Sequence, residues 1–181
     1  MNRKYLAAAA GGAGAAAIGA GILVPALSGP AAATTSQAAP AAAASASSLG
    51  SAPYLTLAAA NKAVALAMNA CLQKGYPVSV TIVDHDGVVI DQQRADTATG
   101  ATVNVSLEKA VAAAGFQVPT SSMESAAATQ PGYISIPGFS ILPGGLPIKG
   151  AGKVIAGIGV SGAPTGQIDA SCAAVAVAAI S

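Results

Sequence analysis

The spacing of hydrophobic and polar positions predicts a folded region made of four helices and five strands. Apolar residues that recur at every third or fourth position indicate helices, and short β-branched runs between turn residues indicate strands. Thr56 is a suitable N-cap for the first helix. In chain order we predict a helix at 57–74, strands at 78–83 and 88–93, helices at 104–116 and 121–129, strands at 140–142, 146–149 and 153–160, and a helix at 167–180.

Turn signals between these elements favour antiparallel pairing. The segment 84–87 (DHDG) is typical of a hairpin turn between the first two strands, and 150–152 (GAG) of a hairpin between the last two. Ser121-x-x-Glu124 matches a capping box at the start of the third helix. The expected fold class is therefore α+β, with a five-stranded antiparallel sheet flanked by helices.

Residues 1–33 have the pattern of a signal peptide. Arg3 and Lys4 precede an uncharged apolar stretch, and 31–33 (AAA) supplies the small residues that a signal peptidase requires. A retained membrane anchor is the alternative, because an apolar run of this length can span a bilayer. Alanine and glycine favour insertion only weakly, so we expect cleavage and a secreted or extracytoplasmic protein.

The next segment, 34–53, consists mainly of alanine, serine, threonine and proline and carries no charge. Such a composition cannot bury a core, so it predicts a flexible linker. The remaining segment, 54–181, is long enough for one domain with a core of its own.

The chain is poor in charge, and this bears on its partners. Charged residues make up 8% and hydrophobic residues 53%, much of it alanine, whereas an average soluble protein is roughly 25% charged. The net charge is +1, aromatic residues make up 3% and tryptophan is absent, which argues against a nucleic-acid partner.

Alanine-rich helices with few charges leave apolar faces uncovered. We therefore expect a homo-oligomer larger than a dimer.

Several stretches, taken in order and spacing, resemble the GlcG/HbpS family over residues 54–180. They are VSVTIVDHDG at 78–87, Glu108-Lys109-Ala110, Ile136-Pro137-Gly138, LPGGLPI at 142–148 and GKVIAGIGVSGAPTGQID at 152–169. The resemblance implies a five-stranded antiparallel sheet flanked by helices, and homo-oligomers that are often octamers. Exported HbpS-like members bind haem and act beside a membrane sensor kinase, and a related domain is fused to PduO-type corrinoid adenosyltransferases.

The resemblance therefore implies an exported, oligomeric small-molecule-binding protein with haem as the expected ligand. The alternative is a structural or signalling oligomer that binds no ligand and docks on a membrane sensor partner. Two departures from the family favour that alternative. The iron-binding Glu-x-x-Glu associated with the second helix is reduced to one acid between Asn104 and Glu108, and Phe139 and Ser140 follow Ile-Pro-Gly where a haem-contacting threonine is associated with the family.

The candidate haem contacts are Tyr133, Phe139 and Ser140 in the proline- and glycine-rich segment 130–145. His85 is the only histidine and hence the only imidazole that could ligate an iron, but a hairpin-turn residue is the favoured interpretation. Elsewhere, no serine or cysteine has a visible general base, so we expect no enzymatic activity.

Two further patterns are interpreted as structural. Asp84 and Asp86 could form a weak cation site, but turn formation is the favoured interpretation, and we predict no metal site. The glycines of Gly157-x-Gly159-x-x-Gly162 match a loose dinucleotide-binding pattern. They lie along a predicted strand rather than at a strand-to-helix turn, so that interpretation is rejected.

The two cysteines, Cys71 and Cys172, lie in the first and last predicted helices. In the fold implied by the resemblance, these helices lie on the same side of the sheet, and an antiparallel arrangement could bring the two sulfurs within bonding range. An exported chain enters a compartment that permits disulfides. Each cysteine could instead be a small buried hydrophobic residue. The sequence leaves both alternatives open.

Overall fold

The computed structural model describes residues 50–180. The signal peptide predicted for 1–33 and most of the linker predicted for 34–53 lie outside the described residues. The helices are α1 (Leu57–Leu72), α2 (Ala101–Phe116), α3 (Thr120–Ala127) and α4 (Gly166–Ile180), with a 3₁₀ helix at Pro131–Ser135, and the strands are β1 (Ser79–Asp84), β2 (Val89–Arg94), β3 (Gly145–Gly150) and β4 (Lys153–Ser161). In this part of the chain, no helix is both long and apolar enough to cross a membrane.

The sheet is antiparallel throughout and has the strand order β2-β1-β4-β3. The prediction of an α+β fold with an antiparallel sheet is confirmed, but the prediction of five strands is wrong, because 140–142 forms no strand. Backbone groups of this segment bond to helices instead of to a strand. The Ser140 N–H donates to the Glu108 carbonyl of α2 (3.3 Å), and the Thr120 hydroxyl of α3 donates to the Leu142 carbonyl (2.8 Å).

One face of the sheet is covered by α1 and α4, and the main hydrophobic core lies there. Alternate strand residues point into this layer, as the period of two requires. Small side chains on both helices allow close approach to the aliphatic residues of the sheet. The fully or almost fully buried members of this core are Ala60, Ala63, Val64, Ala67, Cys71, Val78, Val80, Ile82, Ile148, Ala156, Ile158, Val160, Cys172, Ala173 and Ala176.

The opposite face is covered by α2, which packs very closely on β4. A Cβ atom added at Gly157 would overlap the Ala110 carbonyl oxygen, and one added at Gly159 would overlap the Ser106 carbonyl oxygen. These glycines are therefore required for helix-on-strand packing, in agreement with their rejection as a nucleotide-binding motif. The contact is also polar, since the Thr81 and Ser106 hydroxyl oxygens are hydrogen-bonded at 2.7 Å.

The first residues of three helices show which sequence-based predictions of helix starts are confirmed and which are wrong. Thr56 caps α1 as predicted, its hydroxyl accepting from the Ala59 N–H at 3.2 Å. The predicted capping box is wrong, because α3 begins at Thr120 with Pro119 at its N-cap position and no side-chain cap. Likewise, α2 begins at Ala101 rather than at 104. The Thr102 hydroxyl, bonded to the Ser79 hydroxyl of β1 at 2.7 Å, holds this earlier turn against the sheet.

Of the two alternatives for the cysteines, the structure shows the bridge. Cys71 near the end of α1 and Cys172 in the first half of α4 form a disulfide, with their Cα atoms 5.6 Å apart. Both residues are fully buried within the core between the two helices. The bond therefore joins the first and last helices, which are 101 residues apart in sequence at the two cysteines.

Candidate functional site

Three aromatic residues form a cluster beside the end of α2. Phe116 is the last residue of α2, Tyr133 lies in the 3₁₀ helix and Phe139 follows it in the loop. The Phe116 ring contacts both of the others edge-to-face, with ring centroids 5.5 Å apart in each pair. Such T-shaped pairs are favourable beyond their buried area. The cluster thus fixes the loop that carries Phe139 against the end of α2.

A groove of about 570 Å³ lies against this loop, between α2 and α3. Phe139 and Ser140, two of the predicted contacts, line it, whereas Tyr133 supports it through Phe116 without lining it. Most of its wall is apolar. Its remaining lining residues are Glu108, Glu124, Ala127, Ala128, Ile134, Ile141 and Leu142.

The far end of the loop is held by the buried side chain of Thr120. Its hydroxyl oxygen accepts from the Gly145 N–H at 3.0 Å and donates to the Leu142 carbonyl at 2.8 Å. At Gly144, φ is +128°, and an added Cβ would lie 2.6 Å from the Val160 carbonyl oxygen. Only glycine fits this close passage of the loop over the end of β4.

A buried ion pair lies directly beneath Gly144. The Lys109 ammonium of α2 lies 3.0 Å from the Asp169 carboxylate of α4 and donates to the Val160 carbonyl at 3.0 Å. The other Asp169 oxygen accepts from the Ala163 N–H at 3.0 Å. Burial raises the pKa of Asp169, since lost hydration outweighs the opposing attraction of Lys109 and the backbone hydrogen bond from Ala163.

His85 lies apart from the groove. It sits in the turn between β1 and β2, is largely exposed, and lines a separate cleft. Its Nδ1 lies 3.4 Å from an Asp86 carboxylate oxygen. The structure therefore brings Phe139 and Ser140 to one cavity and His85 to another, so these predicted contacts do not form one site.

The two aspartates beside His85 act in the turn. One Asp84 carboxylate oxygen accepts from the backbone N–H groups of Asp86 and Val88, each at 2.9 Å. This is the local bonding by which aspartate stabilises turns. Among residues 50–180, no group of three or more histidine, cysteine, aspartate or glutamate side chains is arranged to hold a metal ion.

Sequence reasoning missed two carboxylates of the groove and one of the aromatic residues that support it. The sequence indicates Glu108 only as part of the family resemblance and of an incomplete Glu-x-x-Glu motif, and Glu124 only as part of a capping box. Both line the groove, from α2 and α3 respectively. Phe116 is indicated by the sequence only as the last residue of the predicted helix at 104–116. No local signal reveals that these residues meet the loop, because their proximity depends on how α3 packs.

The fold defines a class of α+β domain in which two helices cover one face of an antiparallel sheet and a third helix covers the other. Within that class, the chain belongs to the HbpS-like family. The family model described as haem degrading protein HbpS-like matches residues 55–178. The resemblance found in the sequence is thus confirmed. An uncharacterized 15.0 kDa protein of the dhaT-dhaS intergenic region of Citrobacter freundii is 36% identical over 121 residues, 62% of this chain and 83% of that protein.

Solved structures agree with this assignment. A Streptomyces reticuli HbpS double mutant, in which two glutamates are replaced by aspartate, is 36% identical with a TM-score of 0.76, covering 80% of this chain and 99% of HbpS. The crystal structure of a PduOC–haem complex is 22% identical with a TM-score of 0.65, covering 70% of this chain and 95% of PduOC. At that identity, PduOC supports the fold alone.

Proposed function

We propose that this protein is an exported, oligomeric haem-binding protein whose porphyrin site is the groove beside Phe139 and Ser140. The observation that carries the proposal is this groove, with its aromatic and aliphatic wall, in a chain of the HbpS-like family. The PduOC–haem complex is a solved example of a domain of similar fold that holds haem. The volume of the groove beside Phe139, about 570 Å³, is in the range of small-molecule sites, roughly 300 to 1,000 Å³.

The chemistry of the lining fits an iron porphyrin. Phe139, Ile134 and Leu142 offer an apolar surface of the kind that a flat macrocycle requires, and Ser140, Glu108 and Glu124 supply oxygen donors. Within the described residues, no histidine, cysteine or methionine lines this groove. Oxygen donors are hard ligands, so the lining suits ferric better than ferrous iron. We therefore propose binding of ferric haem without turnover as the function.

Replacing Phe139 with alanine is expected to weaken hemin binding about three- to tenfold, because the aromatic wall of the groove is lost. A titration followed at the Soret band measures this change. His85→Ala is the matched control and is expected to leave affinity nearly unchanged, since His85 lines a different cleft. Because Phe139 also packs on Phe116, Ser140→Ala serves as a second groove variant that leaves the aromatic cluster intact.

The same titration can overturn the proposal in three ways. No saturable Soret shift at micromolar hemin would remove haem binding and favour the ligand-free alternative. Weakening by His85→Ala but not by Phe139→Ala would move the site to the hairpin turn. Progressive loss of the Soret band when a reductant is added would reveal haem degradation and contradict a purely binding role.

The outer surface of α4 supports the proposed oligomer. The only charged residue of this helix, Asp169, is buried, and its exposed positions include Ala174, Val175, Ala178 and Ala179. Val175 is 48% exposed and Leu57 of the neighbouring α1 is 59% exposed. A second copy of the chain would cover these exposed apolar side chains.

Light scattering at micromolar protein is expected to give a mass larger than that of a dimer. Val175→Lys should shift the population towards smaller species, because it places a charge on the α4 surface. Thr97→Lys, on an exposed turn before α2, adds the same charge elsewhere and should change nothing. A wild-type protein of monomer mass would refute the oligomer.

The remaining parts of the proposal concern location and partner. The predicted signal peptide at 1–33 supports export, and the disulfide between Cys71 and Cys172 suits an oxidising compartment. A linker at 34–53 would then precede the domain. A membrane sensor kinase is the proposed protein partner, because the resemblance to exported HbpS-like members implies one.

A further inference from the structure

A second cleft, of about 640 Å³, lies at the end of the sheet where both hairpins turn. It shares no lining residue with the groove beside Phe139. Its wall combines the two hairpin turns, the end of α2 and the extended segment before α1. The lining residues are Ala52, Pro53, Tyr54, Asp84, His85, Asp86, Gln117, Lys149, Gly152, Lys153, Val154 and Ile155.

Two lysines of this cleft are placed by the turn between β3 and β4. Ala151 and Gly152 have φ values of 50° and 77°, the backbone of a tight two-residue hairpin turn. Lys149 and Lys153 flank the turn, and both line the cleft. Within residues 50–180, neither lysine makes a side-chain hydrogen bond or salt bridge. The cleft therefore presents two ammonium groups that are free to bind a ligand.

The carboxylates of the cleft, in contrast, are engaged by their own turn. Asp84 accepts two backbone hydrogen bonds, and Asp86 lies 3.4 Å from the His85 ring nitrogen. Both carboxylates keep their negative charge, so the lining as a whole is formally neutral, but the charged side chains of the cleft that make no hydrogen bond or ion pair within residues 50–180 are the two lysines. The groove differs, because its charged side chains are the carboxylates of Glu108 and Glu124.

The rest of the cleft is suited to a compact organic body. Val154 is almost fully buried in its wall, and Ile155 and Pro53 add apolar surface. The Gln117 amide and the Tyr54 hydroxyl are further donors in the lining, with no side-chain hydrogen bond in the described part of the chain. A few polar groups in a partly apolar lining are typical of small-molecule sites.

We propose that this cleft binds a small molecule that carries two negative charges on a compact apolar body. The dianion is either a dicarboxylate or a phosphate ester, since both pair with two ammonium groups through charge-assisted hydrogen bonds. This site is independent of the proposed haem function, because the two cavities share no residue. The ligand is a small molecule rather than a macromolecule, because the two unpartnered lysines line one cleft of about 640 Å³.

Calorimetric titration of the full protein with phthalate and with phenyl phosphate tests this inference. We expect saturable binding of at least one probe, and at least about tenfold weaker binding to Lys149→Gln/Lys153→Gln. Lys62→Gln/Lys74→Gln removes the same charge from exposed positions on and beside α1, where the two ammonium groups donate to Ala179 and Ser171 of α4 and line no part of the cleft, so it is the charge-matched control and should retain affinity. Phthalamide, which is uncharged, should not bind.

Each outcome decides between stated alternatives. Binding of phthalate alone assigns a dicarboxylate, and binding of phenyl phosphate alone assigns a phosphate ester. No saturable binding of either probe, or an equal loss in both double variants, would overturn the site. Hemin affinity should be the same in Lys149→Gln/Lys153→Gln as in the wild type. A loss there, with Phe139→Ala unaffected, would show that the cleft holds the porphyrin carboxylates and would overturn a separate ligand.

Discussion

Replacing Cys71 and Cys172 together with alanine is expected to lower the free energy of unfolding by about 4 to 5 kcal/mol. The bridge closes a loop across 101 residues of sequence, and in the chain-entropy model such a crosslink removes much conformational freedom from the unfolded chain. Alanine is small and apolar, so it fits the buried positions of both cysteines in the core between α1 and α4.

Urea denaturation of wild type and variant at one protein concentration measures this loss, since an oligomer's stability depends on concentration. A reductant should lower the wild-type midpoint to a similar extent and leave the variant unchanged. A variant within about 1 kcal/mol of the oxidised wild type would contradict this account of the bridge.

Intact mass after thiol labelling of the unfolded chain, without reductant, checks the bond directly. No label should be added before reduction and two afterwards, because the chain has two cysteines and both are bridged. If the protein is isolated from a secreting host, the same mass spectrum also tests whether the predicted signal peptide is cleaved. A mass that still includes residues 1–33 would overturn the proposed signal cleavage.

The secondary structure was predictable wherever the pattern was strong and local. The two hairpins and the four α-helices are confirmed, because β-branched runs, turn glycines and helical periodicity act within a few residues. Segment 140–142 was not predictable in this way. Its apolar residues resemble a strand, but the hydroxyl of Thr120 and the carbonyl of Glu108 bond its backbone from neighbouring helices.

The candidate site was predictable only in its loop. Phe139 and Ser140 are predicted contacts because they follow Ile136-Pro137-Gly138 in a segment rich in glycine and proline, and the structure places both in one groove, while their contact with a ligand stays a prediction. The prediction of Glu124 as part of a capping box is wrong, because α3 begins at Thr120 and this start places Glu124 in the lining of the groove. Contacts between elements distant in sequence leave no periodic signal, so the shape of the groove required the structure.

The sequence contains a signal for one buried charge, that of Lys109. Lys109 follows Ser106 by three positions and precedes Ala113 by four, so the spacing places it on the same helical face as small residues. A lysine on such a face requires a buried partner, because an isolated buried charge is very costly. The partner, Asp169, is 60 residues away and could not be identified from spacing.

Lys109→Met is expected to destabilise the protein by about 3 to 5 kcal/mol, because it leaves Asp169 buried without its ammonium partner. The loop that passes over this pair at Gly144 should also loosen, and hemin affinity should fall with it. Lys153→Met, at an exposed position of β4 whose side chain makes no hydrogen bond within residues 50–180, is the control and should change stability by less than about 0.5 kcal/mol.

A double variant separates the lost ion pair from the lost packing. In Lys109→Met/Asp169→Asn no buried charge remains, and the asparagine oxygen can still accept from the Ala163 N–H. We therefore expect the double variant to recover a large part of the stability lost by Lys109→Met. A double variant as unstable as the sum of the two single changes would show that packing, rather than the unpaired charge, is responsible.

The destabilisation by Lys109→Met should depend on pH in a defined direction. Burial already raises the pKa of Asp169 in the wild type, and removal of Lys109 takes away its largest opposing influence. A carboxyl whose pKa is higher in the folded than in the unfolded chain favours folding when protonated, and this contribution is lost as pH rises from the unfolded pKa through the folded one. Urea midpoints should therefore show a smaller difference between variant and wild type in mild acid than at pH 7, and a difference that grows towards acid would contradict the role assigned to Asp169.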